Sequence, residues 1–119
     1  LNTDEWLRWQ QAEAGRVRHL GIAGPARLVA PFLETDGPLV RVIQVRDGLD
    51  TGEADVVTVA RRQLQLTYGY FSSDTLGRSG AEILPAALAR NRTGAIVVYS
   101  RSRARLAEFA AAAGQKTSC

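Results

Sequence analysis

Residues 63–70 read Gln-Leu-Gln-Leu-Thr-Tyr-Gly-Tyr, and this stretch decides the predicted fold. Four large apolar residues alternate there with residues that are more polar or smaller. The apolar ones are Leu64, Leu66, Tyr68 and Tyr70. A period of two is typical of a strand that buries one face, and such strands are common in antiparallel sheets. We therefore predict a single α+β domain over residues 1–119, with a largely antiparallel mixed sheet and helices packed on one side.

Three other runs are predicted to be strands. The β-branched run 39–45 precedes the quoted stretch, and a second strand is predicted to begin near Asp55 and to contain three valines. Residues 95–99 follow the quoted stretch. Because this short run is apolar on both faces, it is predicted to be an interior strand.

Three helices are predicted from capping residues and glycine stops. They extend from Asn2 to Gly15, from Ser79 to about Asn91, and from Ser102 to Gly114. The first helix carries both tryptophans of the chain, Trp6 and Trp9. Between this helix and residue 38, glycines and prolines predict irregular structure with at most a short helix over 26–33.

Length and composition predict an ordinary globular domain. The chain has 119 residues, of which 45% are hydrophobic and 23% charged, with a net charge of +3. These values exclude a disordered chain, and no apolar run is long enough to cross a bilayer. A lone cysteine, Cys119, and the lack of a signal-peptide pattern predict a cytoplasmic protein with no membrane partner. Because the sequence has no Met, we expect residue 1 not to be the initiator.

Several kinds of site are excluded by the residues that the sequence lacks. His19 is the only histidine, so no histidine metal cluster is predicted, and no phosphate-loop motif occurs. We predict neither a metal nor a cofactor. Four carboxylates lie close together at Asp47, Asp50, Glu53 and Asp55. Their spacing does not match a calcium loop, and acidic residues are common in turns.

A basic cluster is the stronger signal. It consists of Arg90, Arg92, Arg101, Arg103 and Arg105. Arg101 and Arg105 lie one turn apart near the start of the last helix, where backbone N–H groups favour anions, so both are predicted to bind an anionic ligand. Two alternatives remain: a solvated basic surface, and an ion-pair network with the acidic cluster. Nucleic acid is not favoured, since the net charge is small and few aromatic residues accompany the arginines.

Arg62 is the third predicted ligand-binding residue. By parity it shares the apolar face of the quoted strand, where an arginine needs a partner or a ligand unless it reaches water at the sheet edge. Residues 33–41 and 62–66 resemble the chorismate pyruvate-lyases, which share their fold with the UTRA ligand-binding domains. The resemblance implies an antiparallel sheet around a small-acid pocket, with Arg62 holding a substrate carboxylate. The resemblance supplies no catalytic residue, so the catalytic residues stay unknown.

Two functions follow as hypotheses. In the first, the protein binds a small anionic carboxylate metabolite through Arg62, Arg101 and Arg105, as a chorismate-lyase-like enzyme or as a ligand-binding domain. In the second, it is a non-enzymatic assembly module that forms a homo-oligomer or binds another protein. That module would use the sheet or the helix of Trp6 and Trp9, and would carry a basic C-terminal surface.

Overall fold

The computed structural model describes residues 3–34, 37–60, 62–71 and 78–117. Within them, four strands form one sheet: β1 (Gly21–Pro25), β2 (Val42–Arg46), β3 (Leu66–Tyr68) and β4 (Ala95–Ile96). The strands lie in the order β1-β2-β3-β4, and each described pair of neighbours is parallel. The prediction of an α+β chain is confirmed. The prediction of a largely antiparallel sheet is wrong, because every connection between paired strands is a crossover and not a hairpin.

The described part of the chain also contains five α-helices. They are α1 (Thr3–Ala12), α2 (Ala26–Val29), α3 (Asp55–Val59), α4 (Gly80–Arg90) and α5 (Arg103–Thr117). Two short 3₁₀ helices cover Ala30–Phe32 and Gly37–Val40. None of the helices in the described residues combines the length and apolar character that a bilayer span requires.

Helix α3 replaces a predicted strand. Its three valines favour a strand by intrinsic propensity, but packing overrides this weak preference. Val57 is fully buried in the main core, whereas Val59 is 81% exposed. The Thr58 hydroxyl donates a 2.8 Å hydrogen bond back to the Asp55 carbonyl, as a helical turn allows. The segment therefore forms the crossover that a parallel β2–β3 pair needs.

Strand β3 is much shorter than the predicted strand over 63–70. Gly69 has a φ of 98°, a left-handed conformation that favours glycine and ends the strand before Tyr70. Thr67, assigned to the wet face, is fully buried, and its hydroxyl accepts a 2.9 Å hydrogen bond from the Asn91 amide. Leu66 is only half-buried. The alternation of the sequence therefore does not correspond to one buried and one exposed face.

The main core lies on one face of the sheet. Ile43 and Val45 of β2 pack with Val29 of α2 and Val57 of α3. The register places Val45 beside Thr67 and Thr67 beside Ile96, so these side chains share that face. Ile96 in turn packs against Ile83 and Ala87 of α4 and against Tyr70. Crossovers between parallel strands are almost always right-handed, and crossovers of one hand that advance in one direction place their helices on the same face.

The remaining predicted elements agree with the structure to different degrees. Helix α4 begins after Ser79 and ends at Arg90, close to its predicted bounds. Strand β1 lies in the region predicted to be irregular, and in the sheet of the described residues β4 is an edge strand and not an interior one. Helix α5 continues past Gly114. The predicted cap Asn2 and the lone Cys119 lie outside the described residues.

Candidate functional site

A cleft of about 440 Å³ opens at the carboxyl ends of the parallel strands. Its lining residues come from β2, from the end of β3, from the segment after β4 and from α5: Gln44, Tyr68, Gly69, Phe71, Val97, Val98, Tyr99, Arg105 and Phe109. Gln44 and Tyr68 belong to the sheet face opposite the main core, since the register alternates them with buried residues. The cleft thus lies between the less covered face of the sheet and α5.

Aromatic rings form the apolar side of the cleft. The ring centroids of Phe71 and Phe109 are 4.6 Å apart, with an angle of 36° between the ring planes. Phe109 is buried, and it packs closely enough on α4 that a Cβ at Gly80 would lie 3.0 Å from its ring. This contact fixes α5 against α4 and so positions the first turn of α5 beside the sheet.

Arg105 brings a positive charge to the cleft. Its guanidinium carbon lies 6.0 Å from the centroid of the Phe109 ring, and its side chain is exposed. The hydroxyl of Ser102 caps the helix by accepting a 3.2 Å hydrogen bond from the Arg105 N–H. Among the described residues no carboxylate lies within ion-pair distance of Arg105. The guanidinium is therefore held in place by an aromatic ring while its charge stays available.

Arg101 reaches the same rim through a tyrosine. Its Nε donates a 3.2 Å hydrogen bond to the Tyr99 hydroxyl, and Tyr99, which lines the cleft, is 79% exposed. The structure therefore brings two of the three predicted ligand-binding residues, Arg101 and Arg105, to one end of one cleft. Neither residue is buried, so both guanidinium groups are accessible to a ligand.

Arg62 lies elsewhere. It precedes β3, and its Nη2 donates a 2.8 Å hydrogen bond to the carbonyl of Val40, which precedes β2. Because the strands are parallel, both positions are at the amino edge of the sheet, opposite the cleft. The hydrogen-bond partner of the Arg62 guanidinium is thus a backbone carbonyl. A ligand-binding role for Arg62 stays a prediction, and it does not share a site with Arg101 and Arg105.

A buried ion pair lies below the carboxyl edge, and its two partners were not assigned to each other from the sequence. Asp47 follows β2 directly, and its carboxylate accepts hydrogen bonds from Arg90 at 2.7 and 3.0 Å and from the Tyr70 hydroxyl at 2.8 Å. The Ala54 N–H donates a further bond to it at 3.1 Å. Arg90 also binds Asp55 at 2.8 Å. The predicted alternative of ion pairs between the basic and acidic clusters therefore holds for Arg90.

The electrostatics of this pair follow from its surroundings. Burial alone would raise the pKa of Asp47, but the hydrogen bonds from Arg90, Ala54 and Tyr70 outweigh burial and hold the pKa below its usual value. The same carboxylate raises the pKa of Arg90. Burial, together with Asp47, raises the pKa of Tyr70 to about 12. The side chains are mutually satisfied, so they brace the carboxyl edge and do not offer a free charge.

The other acidic residues of this loop also have arginine partners. Glu53 pairs with Arg46 at 3.0 Å, and Asp50 pairs with Arg78 at 2.8 Å. Within the described residues, no three His, Cys, Asp or Glu side chains converge as a metal ion would require. The only sequence signal for these pairs was the crowding of acids after a buried strand. Their partners could not be assigned, because a charge cluster does not specify which distant helix packs beside it.

Comparison of the chain with protein-family models, with curated proteins and with solved structures finds no match.

Proposed function

We propose that this protein binds a small carboxylate-bearing metabolite in the cleft at the carboxyl edge of the sheet. The observation that carries the proposal is the position of Arg105, whose guanidinium lies at the cleft beside the Phe109 ring and pairs with no described carboxylate. The cleft volume of about 440 Å³ is in the range of small-molecule sites. Such sites commonly combine apolar walls with a few convergent polar groups.

The lining suggests which ligand would fit. A guanidinium can bind a carboxylate through two parallel hydrogen bonds, and this geometry favours arginine over lysine. The rings of Tyr68, Phe71 and Phe109 offer flat apolar surface, so we propose a ligand with an aromatic or similarly flat body. The Gln44 amide adds two N–H donors and one acceptor oxygen on the sheet side. Arg101 would add a second positive charge by turning from Tyr99 toward the ligand.

The proposal concerns binding and includes no reaction step. A lyase-type activity, implied by the resemblance to the chorismate pyruvate-lyases, rests on Arg62, which lies at the opposite edge of the sheet from the cleft. No residue of the cleft is assigned a catalytic role. We also propose a cytoplasmic location, because a single cysteine suits a reducing compartment.

The test is a thermal-shift comparison of benzoate with benzamide, its neutral analogue of nearly the same shape. Benzoate is expected to raise Tm, since a ligand that binds only the folded state stabilises it, and benzamide is not. Arg105→Gln is expected to abolish the benzoate shift. Arg103→Gln is the matched control, because it removes the same charge from the same helix outside the cleft lining. A benzoate shift that survives Arg105→Gln, or no shift at all, overturns the proposal.

The second candidate function is assembly through the sheet edge. In the described sheet β4 has a neighbour on one side only, and Val97 and Tyr99 beyond it are 39% and 79% exposed. An open strand edge is a template for pairing with another chain. Sedimentation of the unmodified protein and of Val97→Lys tests this: a homo-oligomer that the lysine dissociates supports assembly, and a monomer at all concentrations removes it.

A further inference from the structure

An arginine precedes each of the four parallel strands. Arg41 comes directly before β2, and the other three strands begin three or four residues after an arginine: Arg18 before β1, Arg62 before β3 and Arg92 before β4. Because the described strand pairs are parallel, the four strand starts lie at one edge of the sheet, the amino edge. We call these four residues the amino-edge arginines. Neighbouring strands are about 4.8 Å apart, so the four strand starts span roughly 14 Å.

Hydrogen bonds hold the strand starts against one another. The Gln65 amide donates a 3.0 Å bond to the Arg41 carbonyl, which joins β3 to the residue before β2. The Thr93 hydroxyl donates a 3.3 Å bond to the Leu64 carbonyl and joins the segments that lead into β4 and β3. Strand β1 is held by its own pairing with β2. The backbone spacing of the amino-edge arginines is therefore set by the sheet.

These four charges have no countercharge within the part of the chain that the structure describes. Three of the amino-edge arginines are exposed, and Arg62 is half-buried. None of the four forms an ion pair there, not even with Glu13 or Glu34, which occur in the connections that lead to β1 and β2. Arg62 donates to a backbone carbonyl, and a guanidinium has further N–H groups for a ligand.

The acidic residues that lower the total charge lie at the opposite edge. Asp47, Asp50, Glu53 and Asp55 follow the carboxyl end of β2, and each of them pairs with an arginine outside the amino-edge set. The net charge of +3 thus averages a neutralised carboxyl edge and an amino edge whose described arginines are not neutralised. A polyanion responds to the local charge, so the small net charge is no argument against such a partner.

We propose that the amino edge binds the phosphate backbone of duplex nucleic acid and does not read its sequence. Arginine binds phosphate through two parallel hydrogen bonds, and phosphate contacts supply the sequence-independent part of binding. A single strand fits less well, because its bases stack on aromatic rings, and residues 18–20, 41, 62–65 and 92–94 include no Phe, Tyr or Trp. A membrane surface also fits less well, since none of the exposed large hydrophobic side chains belongs to these segments. The proposal does not depend on the cleft, which lies at the other edge.

The salt dependence of duplex binding tests this proposal. The probes are fluorescein-labelled DNA and RNA duplexes of one sequence, which share this backbone, and fluorescence anisotropy measures the affinity for each. Four phosphate contacts predict a slope of about −3.6 for log K against log[NaCl], which is a loss of affinity of about 100-fold between about 50 and 200 mM NaCl. The proposal is overturned if neither duplex binds, whether or not phosphatidylserine vesicles do, or if salt leaves the affinity unchanged.

Arg41→Gln and Arg92→Gln locate the contact. Neither side chain makes a hydrogen bond or ion pair within the described residues, so both variants are expected to fold, which circular dichroism checks. Each variant is expected to bind severalfold more weakly at low salt, with a slope shallower by about 0.9. Arg27→Gln is the matched control, because Arg27 is an exposed arginine of α2, which follows the carboxyl end of β1.

Arg105→Gln separates the amino edge from the cleft, because Arg105 lines the cleft at the opposite edge. We expect Arg105→Gln and Arg27→Gln to bind the duplexes like the unmodified protein. Equal weakening by either of these variants and by Arg41→Gln would place the contact elsewhere and overturn the proposal. Unchanged binding by both Arg41→Gln and Arg92→Gln would also overturn it.

Discussion

Asp47 and Arg90 form a two-fold hydrogen-bonded ion pair across 43 residues of sequence, with Nε 2.7 Å from Oδ2 and Nη2 3.0 Å from Oδ1. The Asp47 side chain has no exposed surface, whereas that of Arg90 is 26% exposed. The pair joins the residue that follows β2 to the last residue of α4. It therefore sets the position of α4, on which α5 and the cleft depend.

Removing the Arg90 side chain is expected to destabilise the protein strongly. Arg90→Met leaves a buried carboxylate without its countercharge, which costs about 3 kcal/mol in the free energy of unfolding. Urea denaturation measures this value. The control is Arg46→Met, whose partner Glu53 is 30% exposed, and we expect a much smaller loss there because solvent screens this pair. Equal losses in the two variants would contradict a structural role for the buried pair.

Asp47 makes stability depend on acidity. Its pKa is lowered in the folded state, so its contribution is present above the unfolded value of about 3.9 and is lost as the pH falls through the folded value. Below about pH 4 the unmodified protein is expected to lose stability with a steeper slope than Asp47→Asn. Urea midpoints measured from pH 5 to about pH 2 check this. Parallel curves for the two proteins would show that a titratable group other than Asp47 causes the loss of stability at low pH.

Tyr70 makes stability depend on pH in the alkaline range, where stability is expected to fall as the pH rises. Its pKa is raised to about 12, above the unfolded value of about 10, so its contribution is complete below about pH 10 and declines between about pH 10 and 12. At neutral pH, Tyr70→Phe is expected to cost about 1.5 kcal/mol through the lost bond to Asp47. The difference in unfolding free energy between the two proteins should shrink across that window. A constant difference would argue against this titration.

Gly94 allows β3 and β4 to approach each other. A Cβ there would overlap the carbonyl oxygen of Gln65, which accepts a 2.7 Å hydrogen bond from the Ala95 N–H. Gly94→Ala is therefore expected to cost about 2 kcal/mol, because β4 must move away from β3. At Gly15 an added Cβ meets no atom within 4 Å, so Gly15→Ala serves as the near-neutral control. Thermal melts of both variants measure the difference.

Local signals predicted where α4 and α5 begin. Each of these helices starts at the residue after a serine, Ser79 or Ser102. The Ser102 hydroxyl caps α5, whereas Ser79 makes no side-chain cap hydrogen bond to α4. Strand direction has no such local signal. Whether β3 runs parallel to β2 depends on the segment that connects them. The valines of α3 favour a strand by local propensity, and they are helical only because of their contacts with the rest of the domain. The antiparallel prediction rested on the alternation over residues 63–70, and missing α3 removed the crossover that would have indicated a parallel β2–β3 pair.

The positions of two candidate residues were predictable in part. Arg101 and Arg105 were predicted to bind an anion from their spacing at the start of a helix, and the structure places both at the rim of one cleft. Their role in ligand binding stays a prediction. Arg62 was assigned by parity along a strand that is shorter than predicted. The pairing of Asp47 with Arg90 was not predictable, because it joins residues brought together only by the docking of α4 on the sheet.

The sequential strand order has a consequence for how the chain is made. Each described strand after β1 pairs with the one synthesised just before it, and none is inserted between two earlier strands. Vectorial synthesis from the amino end can therefore extend the sheet from one side, strand by strand, without reopening pairs that have already formed. Among the described strands β4 joins after the other three, so the cleft is completed only when α5 has left the ribosome.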